Sequence, residues 1–108
     1  MKFEVVYTDN FERGLKRLAK KYRSIKTDLK ELITSLEENP AQGIPIKLDC
    51  YKIRMAISSK GKGKSGGARV ITHVYVTEKL VYLIAIYDKS NQENISDKEL
   101  ESLLRFLQ

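Results

Sequence analysis

Acids are missing from the middle of this sequence. Between Asp49 and Glu78 there is no Asp or Glu, while Lys52, Arg54, Lys60, Lys62, Lys64 and Arg69 all fall inside that window. Soft metal ligands are scarce as well. The single cysteine, Cys50, excludes an intrachain disulfide and points to a reducing compartment. One histidine, His73, beside one cysteine cannot build a structural zinc site, so no metal and no small-molecule cofactor is expected. Long apolar runs are lacking too: Leu80–Tyr87 is far too short to cross a bilayer. Near the N-terminus, Glu4 and Asp9 stand where a signal peptide would carry its apolar core. These absences lead to the expectation of a cytoplasmic protein with no membrane partner.

What is present suits one folded unit. The chain has 108 residues, 42% hydrophobic and 31% charged, enough for a single core without a staple. No repeat, linker or low-complexity stretch divides it, so residues 1–108 are expected to form a single domain. The net charge is +6, and outside the acid-free window the chain is close to neutral. An ordinary soluble surface mixes both signs. A field concentrated in one stretch steers a polyanion to one place.

The middle of that window reads "SKGKGKSGGARV", Ser59 to Val70, and Gly63-Lys64-Ser65 matches the end of a nucleotide-binding P-loop. The match fails on its own geometry. Ser58 stands where the motif needs its first glycine, and Gly66-Gly67 follow where a helix must begin. An ATP site is therefore not expected, and the lysines and glycines call for a different anionic partner.

Periodicity gives the element order. Lys2–Tyr7 alternates and is rich in β-branched and aromatic residues, as a strand is. Thr8 or Asp9 caps a helix whose apolar face is Phe11, Leu15, Leu18 and Tyr22 and whose outer face is basic. Ser24 caps a second helix with Ile25, Leu29, Leu32, Ile33 and Leu36 inward, and Asn39-Pro40 stops it. Gly43 and Pro45 mark a loop. Three strands follow, "CYKIRMAIS", "ARVITHVYV" and "KLVYLIAIYDK", then a helix with Ser96 and Glu99 as a capping box. The order β-α-α-β-β-β-α describes an α+β fold, a small mostly antiparallel sheet with an N-terminal helical pair on one face.

Strand alternation then sorts side chains between faces. Tyr51, Ile53, Met55 and Ile57 point to the helices, leaving Lys52, Arg54 and Ala56 opposite. Val70, Thr72, Val74 and Val76 point inward, leaving Arg69, Ile71, His73 and Tyr75 opposite. On the last strand Tyr82, Ile84 and Ile86 are expected inward, with Val81, Leu83, Ala85, Tyr87 and Lys89 on the open face. A cationic sheet face that includes an aromatic suits single-stranded nucleic acid.

The combination of K-x-R in Lys52–Arg54, the G-K-G-K-S-G-G-x-R loop of Gly61–Arg69, and I-Y-D-K in Ile86–Lys89 resembles the RelE/HigB superfamily of bacterial toxins, its HigB-like branch in particular. The resemblance runs nearly end to end and implies a RelE/ParE-like fold. It further implies a toxin of a type II toxin–antitoxin pair, with a neighbouring antitoxin protein as partner. The activity it implies is endoribonuclease cleavage of mRNA in the ribosomal A site, shutting down translation. Carried over by pattern, the catalytic set is Lys52, Arg54, Arg69, Tyr87 and Lys89, with Lys60, Lys62 and Lys64 contacting RNA or ribosome.

Metal-independent ribonucleolysis proceeds by attack of the 2′-hydroxyl on the adjacent phosphate. It needs a proton acceptor, cations for the phosphorane, and a donor for the leaving oxygen. Arg54 and Arg69 suit the middle task, because a guanidinium clamps two phosphate oxygens. Tyr87 suits stacking or proton transfer, and Lys52 or Lys89 acid–base work. His73 sits in mid-strand, where packing is the expected role. Asp88 has opposite strand parity to Tyr87 and is expected to support a turn or pair with a lysine. Two rival functions remain: a ParE-type toxin acting on DNA gyrase, against which Lys52–Arg54, the basic loop and Tyr87 argue because it needs no RNA-cleaving face, and a module that binds RNA or ribosome without cutting.

Overall fold

The computed structural model describes residues 2–92 and 94–107. Among them are three helices and a five-stranded sheet. In chain order these are β1 (Glu4–Tyr7), α1 (Asp9–Lys21), α2 (Ile25–Glu38), β2 (Ile44–Pro45), β3 (Cys50–Met55), β4 (Ala68–Tyr75), β5 (Leu80–Asp88) and α3 (Asp97–Leu104). The sheet order is β1-β5-β4-β3-β2. Only the β1–β5 pairing is parallel; the other three are antiparallel. The architecture is α+β, with the expected helical pair on one face of a mostly antiparallel sheet.

Local chemistry explains the element ends. Thr8 caps α1, its hydroxyl accepting the Phe11 amide. Ser96 caps α3 by accepting the Glu99 amide. Ser24 stands at the head of α2 but its hydroxyl bonds Asp28 and Ser59 instead of a helix amide. The stretch read as a loop around Gly43 and Pro45 contributes the short edge strand β2, Ile44 pairing with Lys52 and Pro45 with Tyr51. A proline is tolerated there because an edge strand has one side without ladder bonds.

Two apolar clusters flank the sheet. Phe11, Leu15 and Leu18 of α1 and Ile25, Leu29 and Leu36 of α2 pack on Ile53, Met55, Val70, Val81, Leu83 and Ile86. Helix α1 lies so close to β5 that a methyl on Gly14 would stand 2.8 Å from the Ile86 carbonyl oxygen. The opposite face is not open. Leu100, Leu103 and Leu104 of α3 join Cys50, Ile71, Tyr82, Ile84, Ala85 and Tyr87 in a second cluster.

The alternation expected for β5 holds only in its second half. Ile71 pairs with Ala85 but the next residue, Thr72, pairs with Leu83, so Ile84 is an extra residue, a β-bulge. Ile84 and Ala85 consequently both face α3. Val81 and Leu83 face the helical pair and Tyr82 faces away from it, the reverse of the simple alternation, while Ile86 and Tyr87 lie as expected. The carbonyls at the bulge are used. Thr8 donates to the Leu83 oxygen from its amide at 3.2 Å and its hydroxyl at 2.8 Å, and Asn10 Nδ2 donates to the Ile84 oxygen at 2.9 Å.

Opposite the bulge, the Thr72 hydroxyl is fully buried and has no hydrogen-bond partner. An unsatisfied buried hydroxyl costs about 1–3 kcal/mol, and valine has the same shape without it. Thr72→Val is therefore expected to raise unfolding stability by about 1 kcal/mol. A urea midpoint unchanged or lowered in this variant would contradict that account.

Candidate active site

Register places three of the expected site residues in one rank across the sheet. Arg54 of β3 pairs with Arg69 of β4, and Arg69 pairs with Tyr87 of β5. One step back, Lys52 pairs with Ile71 on the same face. Two like charges directly opposite each other on adjacent strands destabilise a sheet. Here the two guanidinium groups lead different lives. Arg54 is exposed. Arg69 is only 4% exposed and donates to the backbone oxygens of Lys64 at 3.0 Å, Ala68 at 3.2 Å and Ser65 at 3.2 Å. Three carbonyl dipoles thus compensate the buried cation, as a buried charge requires. Arg69, expected on an open face, is buried instead, with its guanidinium bonded to the backbone of the basic loop.

Tyr87 is 8% exposed and shares the α3-side cluster with Leu100, so its ring is packed rather than presented. Burial pushes its phenol pKa up, the Arg69 charge opposes that shift, and Glu99 adds to it. The group stays a neutral hydrogen-bond donor at ordinary pH. Glu99 is the carboxylate that sequence reading did not associate with this site, because α3 had no assigned docking face.

Lys52 donates to the Asn94 Oδ1 at 2.8 Å, which ties the Asn94 side chain to β3. Lys89 is half-buried, and its amide donates to the Gly67 oxygen at 3.0 Å, tying the end of β5 to the end of the loop. His73 lies four residues from Arg69 along β4, roughly 14 Å at strand spacing. Its Nδ1 is 2.9 Å from the Leu48 oxygen and its ring stacks on Tyr82 at 6.4 Å. Burial pushes the neighbouring Cys50 thiol up to about 12, which keeps it protonated. Neither residue reaches the Arg54–Tyr87 rank.

The loop between β3 and β4 starts with a tight turn at Ser58–Lys60, and Gly61 and Gly63 have φ of 73° and 63°, the left-handed region glycine adopts freely. Lys62 and Lys64 alternate with these glycines and are exposed. Lys60 is different. Its side chain is 10% exposed, and its Nζ lies 2.8 Å from Asp88 Oδ1 and 2.6 Å from Ser90 Oγ. At the loop's start the Ser58 amide and hydroxyl donate to Asp28, and the Ser59 amide donates to the Ser24 hydroxyl.

Asp88 is 2% exposed, on the opposite face of β5 from Tyr87. It accepts from Tyr22 at 2.6 Å, from Lys60 at 2.8 Å and from the Ser90 amide at 2.9 Å. Burial alone would push its carboxyl up, but these bonds outweigh burial and hold it well below the usual carboxylate range. Asp28 is held down in the same way, by Ser58 and Ser24 against burial. Among the described residues there is no cluster of three His, Cys, Asp or Glu able to hold a metal ion, and no helix long and apolar enough to cross a membrane.

A carboxylate whose folded pKa is depressed stabilises the fold above its unfolded pKa, about 3.9, and loses that contribution as pH falls toward the folded value. Asp88→Asn is accordingly expected to cost roughly 2 kcal/mol near neutrality. Its urea midpoint should approach that of the unaltered protein as pH drops below about 4. A gap between the two that stays constant from pH 7 to pH 3 would refute the linkage.

The family model described as "RelE toxin of RelE / RelB toxin-antitoxin system" matches residues 8–107. A mutant E. coli toxin RelE in the free state superposes with a TM-score of 0.63 at 19% identity, covering 100% of both chains. A chain of the intact E. coli RelBE toxin–antitoxin complex gives 0.61 at 19% identity, covering 80% of this chain and 95% of that one. A chain of a RelBE toxin–antitoxin complex from Mycobacterium tuberculosis gives 0.60 at 15% identity, covering 82% and 99%. At these identities the structural likeness is one of fold.

Proposed function

Because the chain belongs to the RelE family of toxins from toxin–antitoxin systems, we propose that it is a ribosome-dependent endoribonuclease that cuts mRNA in the A site. We further propose that a cognate antitoxin neutralises it, as the RelBE complexes of similar fold suggest. The observation that carries this reading is the rank of Arg54, Arg69 and Tyr87 in register on three adjacent strands, beside a loop with two outward lysines.

In this reading the scissile phosphate lies over Arg54, whose exposed guanidinium takes two of its oxygens as charge builds on the phosphorane. The 2′-hydroxyl attacks phosphorus and the bond to the 5′-oxygen breaks, leaving a 2′,3′-cyclic phosphate and a 5′-hydroxyl. Proton transfer falls to Lys52 and Lys89, which flank the rank on β3 and at the end of β5. Lys52 comes already oriented by Asn94. Tyr87 offers its hydroxyl as a donor, and the Arg69 cation, braced by loop carbonyls, keeps the surroundings positive. Lys62 and Lys64 hold the flanking RNA backbone as point charges. Binding without cutting needs the same cations but no proton transfer, so end mapping separates the two.

The deciding experiment mixes purified protein with ribosomes carrying a defined messenger and an empty A site, and with the same RNA alone. Cuts at the A-site codon bearing a cyclic end, absent on naked RNA, are expected. Salt-sensitive binding without any cut would instead make this a binding module, and failed supercoiling with intact messages would favour a gyrase-directed toxin. Arg54→Ala is expected to lower cleavage roughly 100-fold or more with the fold intact. Full activity in that folded variant would remove Arg54 from the site. Replacing Lys62 and Lys64 with alanine should reduce the salt dependence of binding by about 0.7 in slope for each phosphate that the loop then leaves unneutralised. An unchanged slope would mean the loop touches no phosphate.

A further inference from the structure

The acid-free window carries six cations, yet besides the buried Arg69 a second, Lys60, does not face outward. Its ammonium passes behind the sheet to the helical-pair side and meets Asp88, Ser90 and the Tyr22 ring, 5.6 Å from the ring centroid. Asp88 directly follows Tyr87, and its backbone oxygen accepts the Asn91 and Gln92 amides, so it also fixes the turn that carries Lys89. On the other side of the loop, Arg69 holds the Lys64 and Ser65 carbonyls. The loop is thereby fastened near its start by Lys60 and near its end by Arg69, with only Lys62 and Lys64 turned outward between them.

We propose that Lys60, Asp88 and Tyr22 form a positioning cluster that locks the basic loop onto the end of β5, setting the spacing between the loop lysines and the Arg54–Tyr87 rank, and that Lys60 does not bind RNA. This rests on the ribonuclease reading for its catalytic consequence but not for its structural one. The charges agree with the geometry. Asp88 raises the Lys60 pKa through their hydrogen bond and outweighs the opposing effect of burial, while Lys60 leads the bonds that hold the Asp88 carboxyl down. The cluster draws on α1, the loop and the end of β5, and the groups facing Asp88 are Tyr22, Lys21 at 4.0 Å, Lys60 and the Ser90 amide. A catalytic group displaced by about 1 Å can cost on the order of 100-fold in rate, so a lock on the loop is worth more to turnover than one further surface cation.

The test compares Lys60→Met, Lys60→Arg, Asp88→Asn and the Lys60→Met/Asp88→Asn double variant. Readouts are single-turnover cleavage on programmed ribosomes, the salt slope of RNA binding, and amide exchange of Gly61 and Gly67. Expected is a cleavage loss of roughly 10- to 100-fold in each of Lys60→Met and Asp88→Asn, with little further loss in the double variant. The salt slope should stay unchanged, Lys60→Arg should recover most of the rate, and loop amides should exchange faster in Lys60→Met. Leu36→Val, a core change in α2 remote from the loop, controls for lost stability alone and should leave the rate intact. A slope reduced by about 0.7 in Lys60→Met, with Asp88→Asn fully active, would make Lys60 an RNA contact and overturn the proposal. So would loop amides that exchange as slowly in Lys60→Met as in the unaltered protein. If the unaltered protein cuts nothing, the exchange comparison still decides the lock, and the ribonuclease reading falls separately. Should Lys60→Met fail to fold, Tyr22→Phe, which removes one bond to Asp88, takes its place with the same expected pattern.

Discussion

One extra residue in the interior strand β5 governs how the two faces of this molecule are used. Without the bulge at Ile84, strict alternation from Val81 and Leu83 would carry Ala85 and Tyr87 into the core beneath the helical pair. With it, the first half of the strand feeds the α1–α2 core and the second half turns Tyr87 toward Arg54 and Arg69. Asp88 is then directed to the opposite side, where Tyr22 and Lys60 meet it. The carbonyls at the irregularity receive Thr8 and Asn10, so the same feature that aims the site also anchors the beginning of α1. The orphaned Thr72 hydroxyl marks the local cost.

The electrostatic layout solves a conflict inherent in the sequence. Arg54 and Arg69 must be neighbours if both serve one anionic ligand, yet neighbouring cations repel. The conflict is resolved by giving one of them backbone carbonyls from the loop and leaving the other to water. Those carbonyls are available because Gly61 and Gly63 let the chain double back with positive φ. The glycines and the buried arginine are thus parts of one arrangement, and the lysines between them point outward as a result.

Much of this was legible from the residues alone. Helix faces, the Thr8 and Ser96 caps, the order of the main elements along the chain and the shared face of Lys52, Arg54, Arg69 and Tyr87 follow from period and chemistry. What escaped did so for physical reasons. "LVYLIAIY" is apolar at nearly every position because β5 is covered on both faces, by α1 and α2 on one and α3 on the other, and such a strand shows no alternation from which to read a bulge. The burial of Arg69 depends on backbone oxygens, which no side-chain pattern displays. Lys60 looked like its neighbours Lys62 and Lys64, and only the fold brings it to an acid 28 residues away. The edge strand β2 was hidden by Gly43 and Pro45, residues that usually mark a loop.

The single parallel pairing has a consequence in time. Strand β1 is made first, but its partner β5 begins 76 residues later, at Leu80 opposite Glu4. At ordinary synthesis rates that interval is roughly 4–15 s, far longer than helix formation takes. Before it ends, α1 and α2 have been made with Phe11, Leu15, Leu18, Ile25 and Leu29 still lacking Val81, Leu83 and Ile86, the part of their core that β5 supplies. The last strand both joins β1 to the rest of the sheet and supplies Tyr87 and Asp88. The nascent chain therefore completes its core and its candidate site in one late step, and a chain cut short before β5 completes neither.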